Sequence, residues 1–132
     1  MREIALDTQA ATVVAIIDNG RVIGRAHNDS GRHHAESITP LVREALGDAG
    51  LPSTLADAGI DRVLVGTGPA PFTGLRSGLV SARVLARVAS VPAYGVSALD
   101  VIARQGLDLL APDTRVYAIA DARRRELYWG SY

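Results

Sequence analysis

Residues 66–78 constrain the fold of this chain more than any other stretch. They read Gly-Thr-Gly-Pro-Ala-Pro-Phe-Thr-Gly-Leu-Arg-Ser-Gly and lie between an apolar run at 62–65 and a small, apolar run at 75–89. The two runs predict a buried strand and a helix, joined by a tight turn rich in glycine and proline. Thr73 is the expected N-cap, and backbone N–H groups at such a helix start could attract an anion. Alternatively, the glycines serve only to make the turn.

The helix predicted after this turn carries small residues at every fourth position, namely Gly74, Gly78, Ala82 and Ala86. Residues with this spacing lie on one helix face, where another backbone can approach closely. Glycine inside a helix costs about 1 kcal/mol relative to alanine, and close packing is the usual compensation. The stripe either packs inward within the domain or faces a second protein, and the sequence leaves both alternatives open.

The first part of the chain predicts an antiparallel meander. Short apolar runs occupy residues 4–6, 12–17 and 21–26, and Asn19-Gly20 between the last two is a strong hairpin signal. Alternation along the third run places Val22 and Ala26 on one face.

A helical period follows over residues 34–49 and contains Pro40. Either a second helix begins there, with Thr39 as its N-cap, or one helix kinks at the proline. Gly50 is the expected C-terminal stop of this helical stretch.

The second part of the chain predicts a crossover and then a separate hairpin. Strands at 62–65 and 92–96 flank the helix at 73–89, so they should be parallel. The result is an α/β fold class with a mixed five-stranded sheet of order 3-2-1-4-5. Ser97 is expected to cap a helix at 98–105, and strands at 115–120 and 127–132 follow.

These patterns predict three regions. Residues 1–105 form an N-terminal lobe, residues 106–114 a linker, and residues 115–132 the start of a truncated second lobe. The last assignment rests on the marginal stability of a lone hairpin in water.

Composition excludes several classes of function. The chain has 132 residues, a formal net charge of zero and no cysteine. It is long enough for one domain with a core, and no global basic excess argues for nucleic-acid or membrane binding. The absence of cysteine excludes thiolate metal sites and cysteine nucleophiles. With no signal-peptide pattern and no membrane-length apolar run, we expect a cytoplasmic protein without a membrane partner.

Few residues are candidates for chemistry, and none is assigned a catalytic role. His33 and His34 are adjacent, so on a helix their rings would diverge by about 100° and would not share an ion; no metal site is predicted. Asp7 and Thr8, after the first strand, are weak candidates for cofactor binding, the alternative being that Asp7 caps the strand end. No cofactor is expected to bind this chain alone.

Several segments together resemble the TsaB family, also called YeaZ or glycoprotease-like (peptidase M22 homologue). They are Ile4-Ala5-Leu6-Asp7-Thr8, His34-Ala35-Glu36 with Pro40, the Gly-x-Gly-Pro-x-x-Phe-Thr-Gly-Leu-Arg-x-Gly turn at 66–78, Pro92-x-x-Gly95-Val96-Ser97-x-Leu99, and Asp121-Ala122-Arg123-x-x-Glu126-x-Tyr128. The resemblance covers nearly the whole chain and implies the ribonuclease-H-like lobe of the actin, Hsp70 and sugar-kinase superfamily.

The chain departs from the family pattern at two places. Ala70 and Pro71 replace the usual Gly-Ser of the turn, which removes one backbone donor. Arg125 stands where the family usually has a glycine.

The resemblance implies a non-catalytic role in making threonylcarbamoyladenosine in tRNA. The implied partner is a TsaD-like protein in a heterodimer, with a TsaE-like ATPase in the assembly and tRNA bound only through the complex; a homodimer is the competing arrangement. The helices after strands three and four are the implied interface. Its expected residues are Ile38, Leu41, Ala45, Gly74, Gly78, Ala82 and Ala86.

Two other functions remain as alternatives. The first is an ATP-dependent phosphotransferase lobe of the sugar-kinase superfamily, in which Asp7 would orient a metal-bound water. The second is a metallopeptidase, which the adjacent histidines disfavour. Arg123, Arg124 and Arg125 either contact tRNA phosphates within an assembly or form a solvated turn.

Overall fold

The structure is a computed structural model that describes residues 1–29, 34–70 and 72–132. Its strands are β1 (Arg2–Asp7), β2 (Thr12–Asp18), β3 (Arg21–Asn28), β4 (Arg62–Gly66), β5 (Ala93–Val96), β6 (Tyr117–Arg123) and β7 (Glu126–Ser131). Its helices are α1 (His34–Asp48), α2 (Phe72–Ala89) and α3 (Ala98–Leu107). Every strand and helix expected from the sequence is present, with small shifts at the ends.

The first five strands form one mixed sheet in the order β3-β2-β1-β4-β5. β1 pairs antiparallel with β2 and parallel with β4, and β4 pairs parallel with β5. The α/β fold class and the predicted order 3-2-1-4-5 are therefore confirmed. This order places the carboxyl ends of β1 and β4 side by side, which is where open α/β sheets commonly bind ligands.

A bulge changes the expected faces of β3. Ile16 lies opposite Gly24, whereas Ile17 lies opposite Val22, so one extra residue of β3 is inserted between these pairs. The insertion puts Val22 on the opposite face from the buried Ala26. The prediction that these two residues share a face is therefore wrong, because simple alternation fails at a bulge.

The main core lies between the sheet and the helices α1 and α2. Ile4, Val14, Ile16 and Val63 of the strands and Leu46 of α1 are completely buried there. Both helices pack on the same side of the sheet and contact each other. No helix in the described part of the chain is long and apolar enough to cross a bilayer.

The ends and interior of α1 follow one of the two predicted arrangements. Pro40 lies inside the helix, so residues 34–48 form one helix rather than two. Gly50 has a φ of 67°, and the N–H of Leu51 donates to the carbonyl of Leu46 at 2.9 Å. This bond across a left-handed glycine is typical of a helix C-terminus and confirms the predicted stop.

The two predicted N-caps are not formed as expected. Thr73 lies inside α2, which begins at Phe72. Ser97 occupies the N-cap position of α3, but its side chain makes no capping hydrogen bond. Instead, the N–H of Ala98 donates to the carbonyl of Gly68 at 2.8 Å. The turn at 66–78 thus provides an acceptor for the first residue of α3, a contact that only the tertiary fold creates.

β6 and β7 form a separate two-stranded sheet, and α3 packs against it. Leu99 and Ala103 of α3 meet Ala118 of β6 in a small second core. The hydroxyl of Tyr132 donates to Asp100 Oδ1 at 2.5 Å, and this bond raises the pKa of the phenol above its usual value.

The division of the chain into two lobes joined by a linker at 106–114 stays a prediction.

The contact between β3 and α1 can be tested at Gly24. A methyl group added there would lie 2.3 Å from the Ala45 carbonyl oxygen and 2.7 Å from the Ala49 nitrogen. Because these are backbone atoms, we expect Gly24→Ala to lower the free energy of unfolding by about 1–3 kcal/mol in urea denaturation. Gly47→Ala is the control, since nothing lies within 4 Å of the added methyl; it should raise stability by about 0.5–1 kcal/mol. Equal stability of Gly24→Ala and the unchanged chain would contradict this contact.

Candidate partner interface

The turn at 66–78 is packed against the end of β1. A Cβ atom at Gly66 would lie 2.3 Å from Asp7 Oδ2 and 3.0 Å from Gln9 Nε2. Gly68 has a φ of 85° and precedes the cis peptide bond to Pro69. Gly66 is therefore required by close packing, and Gly68 by its left-handed backbone. Both serve the turn, as the turn-forming alternative expected. Pro71 lies outside the described residues.

Asp7 and Thr8, the weak cofactor candidates, are engaged by their own neighbourhood. Asp7 Oδ1 accepts a hydrogen bond from the N–H of Gln9 at 2.8 Å. Thr8 is 2% exposed, and its hydroxyl donates to the carbonyl of Gly74 at 2.7 Å. A Cβ atom at Gly78 would lie 2.3 Å from Thr8 Oγ1. The fold thus brings Thr8 against the start of the small-residue stripe, where its contacts hold the end of β1 to α2, while the hydrogen bond of Asp7 stays local.

The small-residue stripe of α2 packs inward. Ala82 is completely buried and Ala86 is 5% exposed, and both belong to the main core. The expected interface residues of α1 are buried as well, with Ile38 at 2%, Leu41 at 5% and Ala45 at 0%. Of the two alternatives, the structure has the inward one, because the small residues let α2 lie close to the sheet. Within a single chain these side chains offer no surface to a partner.

The outer face of α2 carries apolar residues that the sequence analysis did not assign to an interface. Val80, Val84 and Val88 are 62%, 56% and 61% exposed. They are also four residues apart, but each is two residues from a member of the buried stripe. Two residues correspond to about 200° of rotation, so the valines lie on the opposite face. We call these three residues the valine ridge, and their regular spacing was the signal in the sequence that could have identified it.

Basic residues flank the valine ridge. Arg83 and Arg87 are exposed on α2, and they line a groove of about 610 Å³ together with Ala86, Ser90, Val91 and Ala93. In the part of the chain that the structure describes, neither arginine has an ion pair. The outer face of α2 therefore combines an apolar ridge with positive charge, a composition suited to an apolar partner with acidic residues at its margin.

The remaining candidates lie away from this face or outside the residues that the structure describes. His33 and the side chain of His34 lie outside the described part of the chain. Among the described residues, no three His, Cys, Asp or Glu side chains form a group that could hold a metal ion. The three arginines at 123–125 lie at the end of the β6–β7 hairpin and are exposed.

Comparison with known proteins identifies the family. A sequence model of the family described as "TsaD: tRNA N6-adenosine threonylcarbamoyltransferase" matches residues 24–132. The "tRNA threonylcarbamoyladenosine biosynthesis protein TsaB" of Escherichia coli (strain K12) is 40% identical over 134 residues, which cover 100% of this chain and 55% of that protein. This chain belongs to the TsaB/YeaZ family. An uncharacterized protein of Mycobacterium tuberculosis (strain H37Rv) is 44% identical over 132 residues, covering 98% of this chain and 58% of the relative.

Solved structures agree with this assignment. YeaZ from Pseudomonas aeruginosa superposes with a TM-score of 0.83 at 34% sequence identity, covering 99% of this chain and 59% of that one. The match confirms the ribonuclease-H-like lobe that the TsaB resemblance implied. The chain spans less than two thirds of the length of these relatives.

The inward packing of the stripe can be tested with two substitutions on α2. We expect Ala82→Leu to lower the free energy of unfolding by about 1–3 kcal/mol, because the added atoms have no space in the core. Val84→Leu places the same side chain on the exposed face, where the change should stay within about 0.5 kcal/mol. Urea denaturation followed by circular dichroism measures both. If the two variants are equally stable, Ala82 does not face the core.

Proposed function

We propose that this chain is the first lobe and the start of the second lobe of a TsaB-like protein that acts as a non-catalytic partner of a TsaD-like protein. The complex would make threonylcarbamoyladenosine in tRNA. Membership of the TsaB/YeaZ family and the printed names of the relatives support the pathway. The observation that carries the partner role is the exposed valine ridge on α2. The proposal includes a cytoplasmic location, a TsaE-like ATPase in the assembly, and no cofactor held by this chain alone.

The valine ridge has the dimensions of a helix-packing surface. Its members span nine residues of α2, which is about 12 Å along the helix axis. Exposed apolar residues in a continuous row are unfavourable in water and favour burial against a partner. The partner surface would be a helix or helix pair with small apolar residues in the middle and Asp or Glu at the edge.

Charge favours a TsaD-like partner over a second copy of this chain. If two α2 helices packed ridge to ridge, Arg83 and Arg87 of one copy would approach the same residues of the other. Like charges at an interface are unfavourable, whereas acidic residues on a different protein would pair with these arginines. The heterodimer is therefore the arrangement we propose, and the homodimer is an outcome that the experiment below can detect.

A structural role for the end of β1 supports the non-catalytic assignment. The side chains of Asp7 and Thr8 are engaged with Gln9 and Gly74, within the same lobe. A phosphotransferase would need Asp7 to orient a metal-bound water instead.

The partner interface can be tested with Val84→Asp. A carboxylate at the centre of the ridge would be buried without a partner, so the Kd for the TsaD-like protein of the same organism should rise at least about tenfold in isothermal calorimetry. Val101→Asp is the matched control, because Val101 is 46% exposed and belongs to α3, which packs against β6. Its Kd should not change.

Three other results would contradict the proposed interface. The first is an unchanged Kd for Val84→Asp, and the second is an equal rise in Kd for Val84→Asp and Val101→Asp. The third is a Val84→Asp variant that loses a homodimer in ultracentrifugation while it still binds the TsaD-like protein.

The non-catalytic assignment predicts that the chain alone does not turn over ATP. We expect the rate of phosphate release with ATP and magnesium to equal that of a protein-free blank in a coupled assay. Asp7→Ala should leave that rate unchanged. Robust turnover that disappears in Asp7→Ala would instead favour the phosphotransferase alternative.

A further inference from the structure

Three consecutive arginines form the turn between β6 and β7. Their φ angles are 65° at Arg123, 53° at Arg124 and 65° at Arg125. Residues other than glycine, asparagine and aspartate rarely adopt this left-handed conformation. Since Arg123 pairs with Glu126, the loop itself consists of Arg124 and Arg125. Positive φ at both loop residues is the pattern of a type I′ turn, for which Asn-Gly is strongly preferred.

The same chain contains a hairpin with the preferred sequence. Asn19 and Gly20 join β2 to β3 with φ angles of 48° and 78°, and Asp18 pairs with Arg21 across the loop. The two loops therefore have the same length and the same signs of φ. The backbone of the β6–β7 loop could be made with less strain by Asn-Gly, so turn geometry does not account for the arginines.

The charges of the three arginines are available to a ligand. All three residues are exposed. The nearby carboxylate of Asp121 accepts a hydrogen bond from the N–H of Arg123 at 2.7 Å and so helps to shape the turn. In the described part of the chain, none of the three guanidinium groups forms an ion pair. Three adjacent positive charges repel one another, and a ligand with several negative charges would relieve that repulsion.

We propose that Arg123, Arg124 and Arg125 form a contact site for the phosphodiester backbone of RNA. Guanidinium groups bind phosphate oxygens through two parallel hydrogen bonds, which suits arginine better than lysine for this contact. The site positions RNA and carries no sequence recognition. The choice of RNA among polyanions rests on the proposed function, whereas the site itself is separate from the valine ridge and would contact RNA without the partner, unlike the binding through a complex that the resemblance implied.

The test replaces the loop with the one the chain already uses elsewhere. In Arg124→Asn/Arg125→Gly, two charges are lost while the turn becomes more favourable. With an unmodified tRNA transcript in fluorescence anisotropy, we expect the Kd to rise about tenfold or more at 0.1 M salt. The slope of log K against log salt concentration should fall by about 1.5. The midpoint of thermal unfolding should stay unchanged or rise, so stability and RNA binding change in opposite directions.

Two further variants separate the site from general charge effects. Arg124→Lys/Arg125→Lys keeps the charge and should bind tRNA within about threefold of the unchanged chain. Arg21→Asn/Arg43→Gln removes two exposed arginines elsewhere and should have a smaller effect than the loop variant.

The proposal is overturned if the loop variant binds tRNA normally, if both charge-removing pairs lose equal affinity, or if the unchanged chain shows no salt-dependent tRNA binding. Loss of a protein partner with tRNA binding intact would also overturn it and would assign the turn to a protein interface. Because Val84→Asp should still bind tRNA, failure of the partner proposal is distinguishable from failure of this one.

Discussion

The rest of the lobe depends on the close approach between the end of β1 and the first turns of α2. Thr8 is buried with its hydroxyl on the carbonyl of Gly74, and Gly78 leaves the space that Thr8 occupies. Any side chain at position 78 would overlap Thr8, so the helix reaches this depth only with glycine there. The contact of Thr8 with Gly74 and Gly78 turns this face of α2 toward the core and leaves the opposite face exposed.

Folding and the proposed partner binding would therefore use different residues of the same helix. Ala82 and Ala86 are buried in the main core, whereas Val80, Val84 and Val88 remain exposed on the other side of the helix. A helix that is apolar on two faces can bury one in its own domain and keep the other for a second protein. Gly24 allows α1 an equally close approach to β3. Because both helices lie on one side of the sheet, a partner approaching that side meets them together.

The second hairpin shows the opposite relation between local preference and structure. At Asn19-Gly20 the sequence and the turn agree, while at Arg124-Arg125 the same kind of turn is made by residues that it disfavours. A left-handed conformation costs an ordinary residue about 1–2 kcal/mol. Such a conflict between sequence and backbone is more often found at binding sites than in parts of a fold that serve only stability.

The sequence by itself determined the strands and helices, their order in the sheet and the family, because each depends on local signals. The Asn19-Gly20 loop set the hairpin, and the crossover through the helix at 73–89 set the parallel pairing. Only the tertiary structure decided the direction of the small-residue stripe, since small residues fit a sheet and a partner helix equally well. It also decided the bulge in β3 opposite Ile16 and Ile17, and the acceptor for Ala98, which is the carbonyl of Gly68 in a distant part of the chain. Contacts of that kind leave no periodic pattern in the sequence, and so the buried and exposed faces of α2 became distinguishable only once the helix lay on the sheet.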